Sequence, residues 1–522
     1  MDVPVRALGA RPAMPSRWSS VAARGRSLQA GWLVAAAVAL AIFTGLLTGV
    51  GGGYIAVLLV VSLGVAVAGL LDFRIAVFAL MLMFPLTTTY FFPRKLLGIS
   101  GLNPFNVLFL LALASFVLMR LFARREGRFA LPQARLFWPL VVALVAGTII
   151  GSRSIQLIPA FYYSKGAEIF STKAEYVRDV LLKPLITLSF VYLIGAAVAR
   201  SRRMVPWAWA TLAGGSMLAL LVLGFVVVAR VPIGALSESS ARSFLSPTGL
   251  HANEIGVALV PLYAVALFML PALATVRSRL AALAFAALAL LAIGLTFSRA
   301  AFLAALLVSV VFAIKRRRAI WIIVGLAVVA AAVLLAPDPI KERVARGFDT
   351  ASIGGRNSAA DPLTAGRVGG IWKPLWPDIR GHALFGNGIH STMWSSAARS
   401  GLIYVVHPHN AYIQLVMDYG VVFGAFVVVF LWRVWRLWRR LARAPAVPAT
   451  LRGFFDGISV AFIAFLGQGL SGTSLVFQLD HAVYLCALGV ALGVAARLSA
   501  GAEAGQPEAK QVRAGGLPAA AR

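Results

Sequence analysis

Fourteen runs of apolar residues, each close to the length needed to cross a bilayer as a helix, are strung along the 522 residues. A helix rises 1.5 Å per residue, so about 20 residues span roughly 30 Å of hydrocarbon. The runs lie near 31–49, 54–71, 73–92, 104–122, 135–151, 179–199, 205–229, 253–273, 279–297, 300–315, 319–336, 411–432, 455–471 and 476–496. With 60% of residues hydrophobic and 13% charged, the chain carries more apolar surface than a soluble core can hide. The expectation is an all-α polytopic membrane protein with 12–14 transmembrane helices and one long extracytoplasmic loop containing short helices. In segments, this reads as a cytoplasmic tail (1–30), transmembrane helices 1–11 (31–336), the loop (337–410), helices 12–14 (411–496) and a disordered cytoplasmic tail (497–522).

A net charge of +30 on a soluble chain would point to nucleic acid, but here the placement of the charge is what matters. Arg17, Arg24 and Arg26 precede the first run, and Arg124, Arg125 and Arg128 follow the fourth. Arg200, Arg202 and Arg203 follow the sixth, Arg277 and Arg279 the eighth, Lys315-Arg316-Arg317-Arg318 the tenth, and Arg433, Arg436, Arg439 and Arg440 the twelfth. From the fourth run onward, basic clusters recur after every second span, as the positive-inside rule requires if both termini are cytoplasmic. No nucleic-acid partner follows from this charge, and membrane lipids are the expected surroundings. The first run also has basic residues before it and small ones after it, as a signal peptide would; removing it, however, inverts the charge pattern. A single cysteine, Cys486, excludes a disulfide within the chain and a thiolate metal cage.

The same alternation places 337–410, 152–178 and 231–252 outside the cytoplasm, which singles out the polar groups on that face. Arg299 falls in the short turn between two runs, either as a snorkelling interfacial arginine or as an anion clamp. Arg242 precedes a polar segment ending His251-Ala252-Asn253-Glu254, a turn and helix cap that also concentrates ionisable groups on the outer face. In the long loop, Ile340, Val344 and Phe348 are spaced as on an amphipathic helix. A second helical piece opens at Gly366-Arg367 and carries Trp372 and Trp376, and Leu384-Phe385-Gly386-Asn387-Gly388 reads as a tight turn. The loop ends in His407-Pro408-His409-Asn410, and Asn410, Gln414 and Asp418 recur along one face of the next helix. Asn410 reads equally as a plain N-cap. His409, at a helix N-terminus, is expected to be a neutral imidazole able to accept a proton. His407 and His409 alternatively suit a two-ligand metal site, although no thiolate lies near and a proline separates them.

The turn Ser298-Arg299-Ala300-Ala301-Phe302, Gly366-Arg367 followed by Trp372, Gly386-Asn387-Gly388, and His409-Asn410 followed after nine residues by Gly420 together resemble the O-antigen ligase and polymerase superfamily of bacterial envelope proteins. The stretch from Arg242 to Asn253 is similar to that family's arginine and proline/asparagine signature, and the resemblance covers roughly 240–435. Two features depart from the family: Phe423 stands where a small residue is usual, with Gly424 one place later, and fourteen spans stand where about twelve are usual. The resemblance implies glycosyl transfer at the periplasmic face of the inner membrane, from a polyprenyl-diphosphate-linked glycan to a sugar hydroxyl, with no cofactor and no metal. The acceptor it implies is lipid A core oligosaccharide or another glycan chain; protein O-glycosylation is a third possibility.

The residues suit this chemistry on their own account. Without metal ligands, negative charge growing on a diphosphate leaving group is met by arginines, whose planar fork fits phosphate oxygens. Arg299 and Arg242 are the first candidates and Arg367 a further one; His409 is the candidate base for the acceptor hydroxyl. Asn410, His407, His251, Asn253 and Gln414 join Arg367 as candidate substrate-binding residues. The rival class is a polysaccharide or lipid transporter or flippase, for which ionisable groups near the bilayer midplane and matching broken helices in two halves are the expected signs.

Overall fold

The computed structural model describes residues 64, 67–93, 95–96, 99–100, 103–122, 132–164, 170–229, 245–296, 298–316, 366–472 and 474–504. The expected spans at 31–49 and 319–336, most of 54–71, Arg242, the amphipathic piece at Ile340, Val344 and Phe348, and the tail after Ala504 lie outside the described residues.

Eight helices among the described residues are long and apolar enough to cross a membrane, so the chain is an all-α, multi-pass membrane protein. In chain order the main helices are α1 (Phe73–Met83), α2 (Pro104–Phe122), α3 (Trp138–Gly151), α4 (Lys173–Arg200) and α5 (Val205–Val228). They continue with α6 (Ala252–Met269), α7 (Val276–Thr296), α8 (Arg299–Arg316), α9 (Lys373–Gly381), α10 (Ala411–Arg443), α11 (Ala449–Gln468) and α12 (Ala482–Ala504). A two-residue antiparallel pairing of Lys95–Leu96 with Ile99–Ser100 joins α1 to α2.

Local chemistry sets several boundaries that hydropathy blurred. Asp72 divides two apolar runs because its carboxylate caps α1, accepting from the Arg74 amide at 3.0 Å. The expected span 73–92 is shorter as regular helix: Pro85 enters a 3-10 turn, Phe84–Leu86, just after Met83. The expected run at 476–496 begins later, since Leu479–His481 is a single 3-10 turn and α12 proper starts at Ala482. That helix then continues past Arg497 to Ala504.

Helices α6 and α12 are the most enclosed of the membrane-length set. Gly453 and Gly457 of α11 lie against the Phe268 and Ala264 carbonyls of α6, so a Cβ at either glycine would strike backbone. Lipid offers no hydrophobic gradient between helices, and close backbone approach at small residues supplies the packing instead. The chain's ends of the bundle differ in character. At one end, Lys315 of α8 and Arg439 of α10 both meet Asp456 of α11. At the other end lie the N-termini of α6, α8 and α10, the C-terminus of α11 and the start of α12.

Candidate functional site

Helix α10 is broken nine residues in. Gly420 has φ +61° and ψ −172°, a combination essentially confined to glycine, and a strand of loop crosses the break. The amides of Val421 and Val422 donate to the carbonyls of Ala383 (2.8 Å) and Leu384 (3.0 Å). In return, the amides of Asn387 and Gly388 donate to the carbonyls of Met417 (2.7 Å) and Asp418 (3.1 Å). The turn 386–388 and the glycine after His409-Asn410, read from the sequence as separate signals, are therefore two halves of one interlock. Tyr176 Oη donates to the Ile389 carbonyl at 2.9 Å, fixing the far side of the same loop to α4.

The polar stripe on α10 secures this loop. Asp418 Oδ1 accepts from the Ser391 amide (3.0 Å), Ser391 Oγ (2.8 Å) and Gln414 Nε2 (2.7 Å). Gln414 Oε1 accepts from Thr392 Oγ1 at 3.2 Å. Gln414 is buried and engaged at both ends of its amide, which makes it a clamp on the loop. Asn410 acts as the N-cap, Oδ1 accepting from the amides of Tyr412 (3.0 Å) and Ile413 (3.2 Å).

Just before that cap, His409 has φ +52°; it and His390 are the two non-glycine residues with positive φ among those described. Such strain persists only where surroundings over-determine it. Trp372 Nε1 donates to the Pro408 carbonyl at 2.9 Å, and Arg367 Nη1 to the His409 carbonyl at 3.4 Å. The Ala411 amide donates to the Gly469 carbonyl at 2.8 Å, tying the start of α10 to the end of α11. Trp372 is thus a fastener for the histidine segment.

His407, His409, His251, Asn253 and Glu254 line one cavity of about 150 Å³, together with Phe465, Gln468, Asp480 and His481. The His407 and His409 rings meet edge to face, 4.3 Å between centroids. Enclosure, then the neighbouring imidazoles and Arg367, push the His407 pKa down to about 3, so this ring is neutral. His251 is the N-cap of α6: its Nδ1 accepts from the Asn253 amide (3.2 Å), while Glu254 Oε2 accepts from the His251 amide (2.8 Å). With Nδ1 occupied as acceptor, the proton of a neutral His251 ring sits on Nε2. Among the described residues, no three His, Cys, Asp or Glu side chains converge closely enough to hold a metal ion.

Of the residues singled out in sequence, His409, His407, His251 and Asn253 come together around the cavity. Arg299 is exposed at the head of α8 and is not among the lining residues. It stands close by in the fold, because a Cβ on Gly256, one turn along α6 from His251, would meet that of Ala301. Gln468, Asp480 and His481 were missed. The run 476–496 swallowed an Asp-His pair whose presence inside an apolar segment was itself the signal.

A multi-pass helical membrane protein with a histidine-lined cavity at one end of the bundle is the class that fold and site define. Residues 284–424 match the family model Wzy_C, O-antigen ligase, which bears out the resemblance to the O-antigen ligase superfamily and supports a glycosyltransferase of ligase or polymerase type. The matched stretch runs from α7 through Arg299, Arg367 and His409 to Gly424. No curated protein matches the chain.

Proposed function

We propose that the protein transfers a glycan from polyprenyl diphosphate to a sugar hydroxyl at the periplasmic face of the bacterial inner membrane, as a lipopolysaccharide ligase or polysaccharide polymerase. The observation that carries this reading is His409: a residue of strained, fastened backbone whose side chain lines the cavity, within the segment that matches the O-antigen ligase model. His409 takes the proton of the acceptor hydroxyl as its oxygen bonds to the anomeric carbon. The anomeric C–O bond to the diphosphate breaks in the same step, its electron pair leaving with the diphosphate, so the displacement is in line and inverting.

Arg299, Arg242 and Arg367 neutralise the charge that grows on the leaving group. Arg367 is tied to the His409 carbonyl, which supports base and cation acting at one place. The N-terminal ends of α6 and α8 add positive potential there. His251, Asn253 and His407, on the same cavity, contact the sugar or diphosphate. Asn410 and Gln414 contribute by holding the histidine segment and the loop. Lipid-linked donor reaches the site from the apolar flanks of the bundle.

The test is transfer by full-length protein purified in detergent, reading polyprenyl diphosphate release and acceptor elongation. His409→Ala and Arg299→Ala are each expected to lose about a hundredfold or more in rate while accumulating normally in the membrane. Full activity in either variant removes that residue from the mechanism. Wild-type protein that moves lipid-linked glycan without releasing polyprenyl diphosphate is a flippase instead.

A further inference from the structure

The part of the cavity wall contributed by α11 and the turn before α12 contains polar atoms with nothing to bond to. Gln468, the last residue of α11, is 4% exposed, and neither its Nε2 nor its Oε1 has a hydrogen-bond partner. Asp480 Oδ1 is likewise buried without a hydrogen bond. It lies 2.8 Å from His481 Nδ1, but that nitrogen accepts from the Gln478 amide at 3.0 Å, which puts the proton of a neutral His481 ring on Nε2. Buried polar atoms in native proteins are almost always paired, and three unmet ones on one cavity wall mark a place that something else completes.

The unmet set defines its ligand. It consists of an amide donor and two acceptor oxygens, one of them on a carboxyl group. A phosphate offers only acceptors and would face the Asp480 carboxylate. A hydroxyl both donates and accepts, and adjacent hydroxyls on a ring satisfy an amide and a carboxylate together. Phe465, its ring centroid 5.0 Å from that of His481, adds an apolar wall for the ring's C–H face. We propose that Gln468, Asp480 and His481 form the subsite that binds the hydroxyl groups of the acceptor sugar, an assignment that rests on the glycosyl-transfer reading above.

The test uses full-length protein in detergent micelles and a panel of methyl hexosides and methyl N-acetylhexosaminides, observed by saturation-transfer NMR. At least one glycoside is expected to receive saturation from the wild type, with the signal reduced about tenfold in Gln468→Leu and in Asp480→Asn. The melting temperature of Gln468→Leu is expected to equal or exceed that of the wild type, because an unmet buried amide is replaced by an apolar group of similar shape. Absence of saturation for every glycoside, undiminished signal in both variants, or a melting temperature lowered by several degrees in Gln468→Leu would overturn the proposal, the last because it would show an amide held by structural water. Transfer kinetics separate this failure from that of the parent reading. Glycoside binding that depends on Gln468 without polyprenyl diphosphate release leaves the subsite and removes the transferase. Transfer with an acceptor KM unchanged in Gln468→Leu does the reverse.

Discussion

Replacing Gly420 by alanine tests whether the break in α10 is what docks the loop carrying the histidines. A Cβ at Gly420 would collide with backbone atoms of Leu384 and Gly386, which have no flexible end to move aside. The backbone conformation alone costs a non-glycine residue roughly 1–3 kcal/mol. Relieving the collision pulls the loop away from four backbone hydrogen bonds, made by the amides of Val421, Val422, Asn387 and Gly388, at about 1 kcal/mol each. Loss of two to four of them brings the total to roughly 3–7 kcal/mol, enough to undock the segment locally. Gly424→Ala is the control, since the nearest atoms to a Cβ there belong to Leu415, at an ordinary contact distance of 3.6 Å or more, and alanine favours helix by about 1 kcal/mol. Hydrogen exchange at the four amides is the direct assay, with transfer activity alongside. Fast exchange and lost activity in Gly420→Ala beside a protected, active Gly424→Ala is the expected outcome. Equal protection in the two variants would refute the interlock.

Two further predictions concern charge and metal. His407 has a pKa near 3 in the folded chain against 6.5 for a free imidazole, so between those values the unfolded chain binds more protons; stability falls as pH drops through that window, and His407→Gln should flatten melting temperature against pH there. A slope unchanged by the substitution would show that other groups carry it. EDTA is expected to leave the transfer rate of purified protein unchanged, whereas loss of rate that Mg²⁺ or Mn²⁺ restores would establish a metal-dependent transferase.

Hydropathy made most of the bundle legible because a membrane span is a local property of about 20 residues. It failed where polar chemistry interrupts a run. Pro85 cut α1 short, and the Asp480-His481 pair belongs to a turn although apolar residues flank it on both sides. The His409-Asn410 spacing to Gly420 was readable as a pattern, but its cause was not, since the glycine answers to a loop more than thirty residues upstream. The spacing of Asn410, Gln414 and Asp418 shows that they share one helix face, but that this face meets the loop is decided by Ser391 and Thr392. Charge alternation groups Arg299 with His251 on one face; that the two lie at the same end of the bundle, with α8 packed on α6, needed the structure.

That packing also explains how one small cavity could serve two ligands of opposite demand. A diphosphate needs cations and amide donors, while an acceptor hydroxyl needs an oxygen acceptor and a base. In this chain, Arg367 belongs to the segment fastened to His409, whereas Asp480 belongs to the turn before α12 and is accompanied by His481 and Gln468. The histidines lie on the cavity with Asp480, and Arg367 reaches the backbone behind His409; a neutral imidazole such as His407 can sit beside an arginine or a carboxylate without a net charge penalty. Replacing His407 by arginine would remove that neutrality and add a cation among the imidazoles. Replacing Asp480 by asparagine would instead retain shape while removing the charge that turns phosphate away. Under the proposed transfer, specificity for an acceptor hydroxyl over a second phosphate would reside in the α11–α12 connection, and commitment to a diphosphate donor in Arg299, Arg367 and the helix ends of α6, α8 and α10.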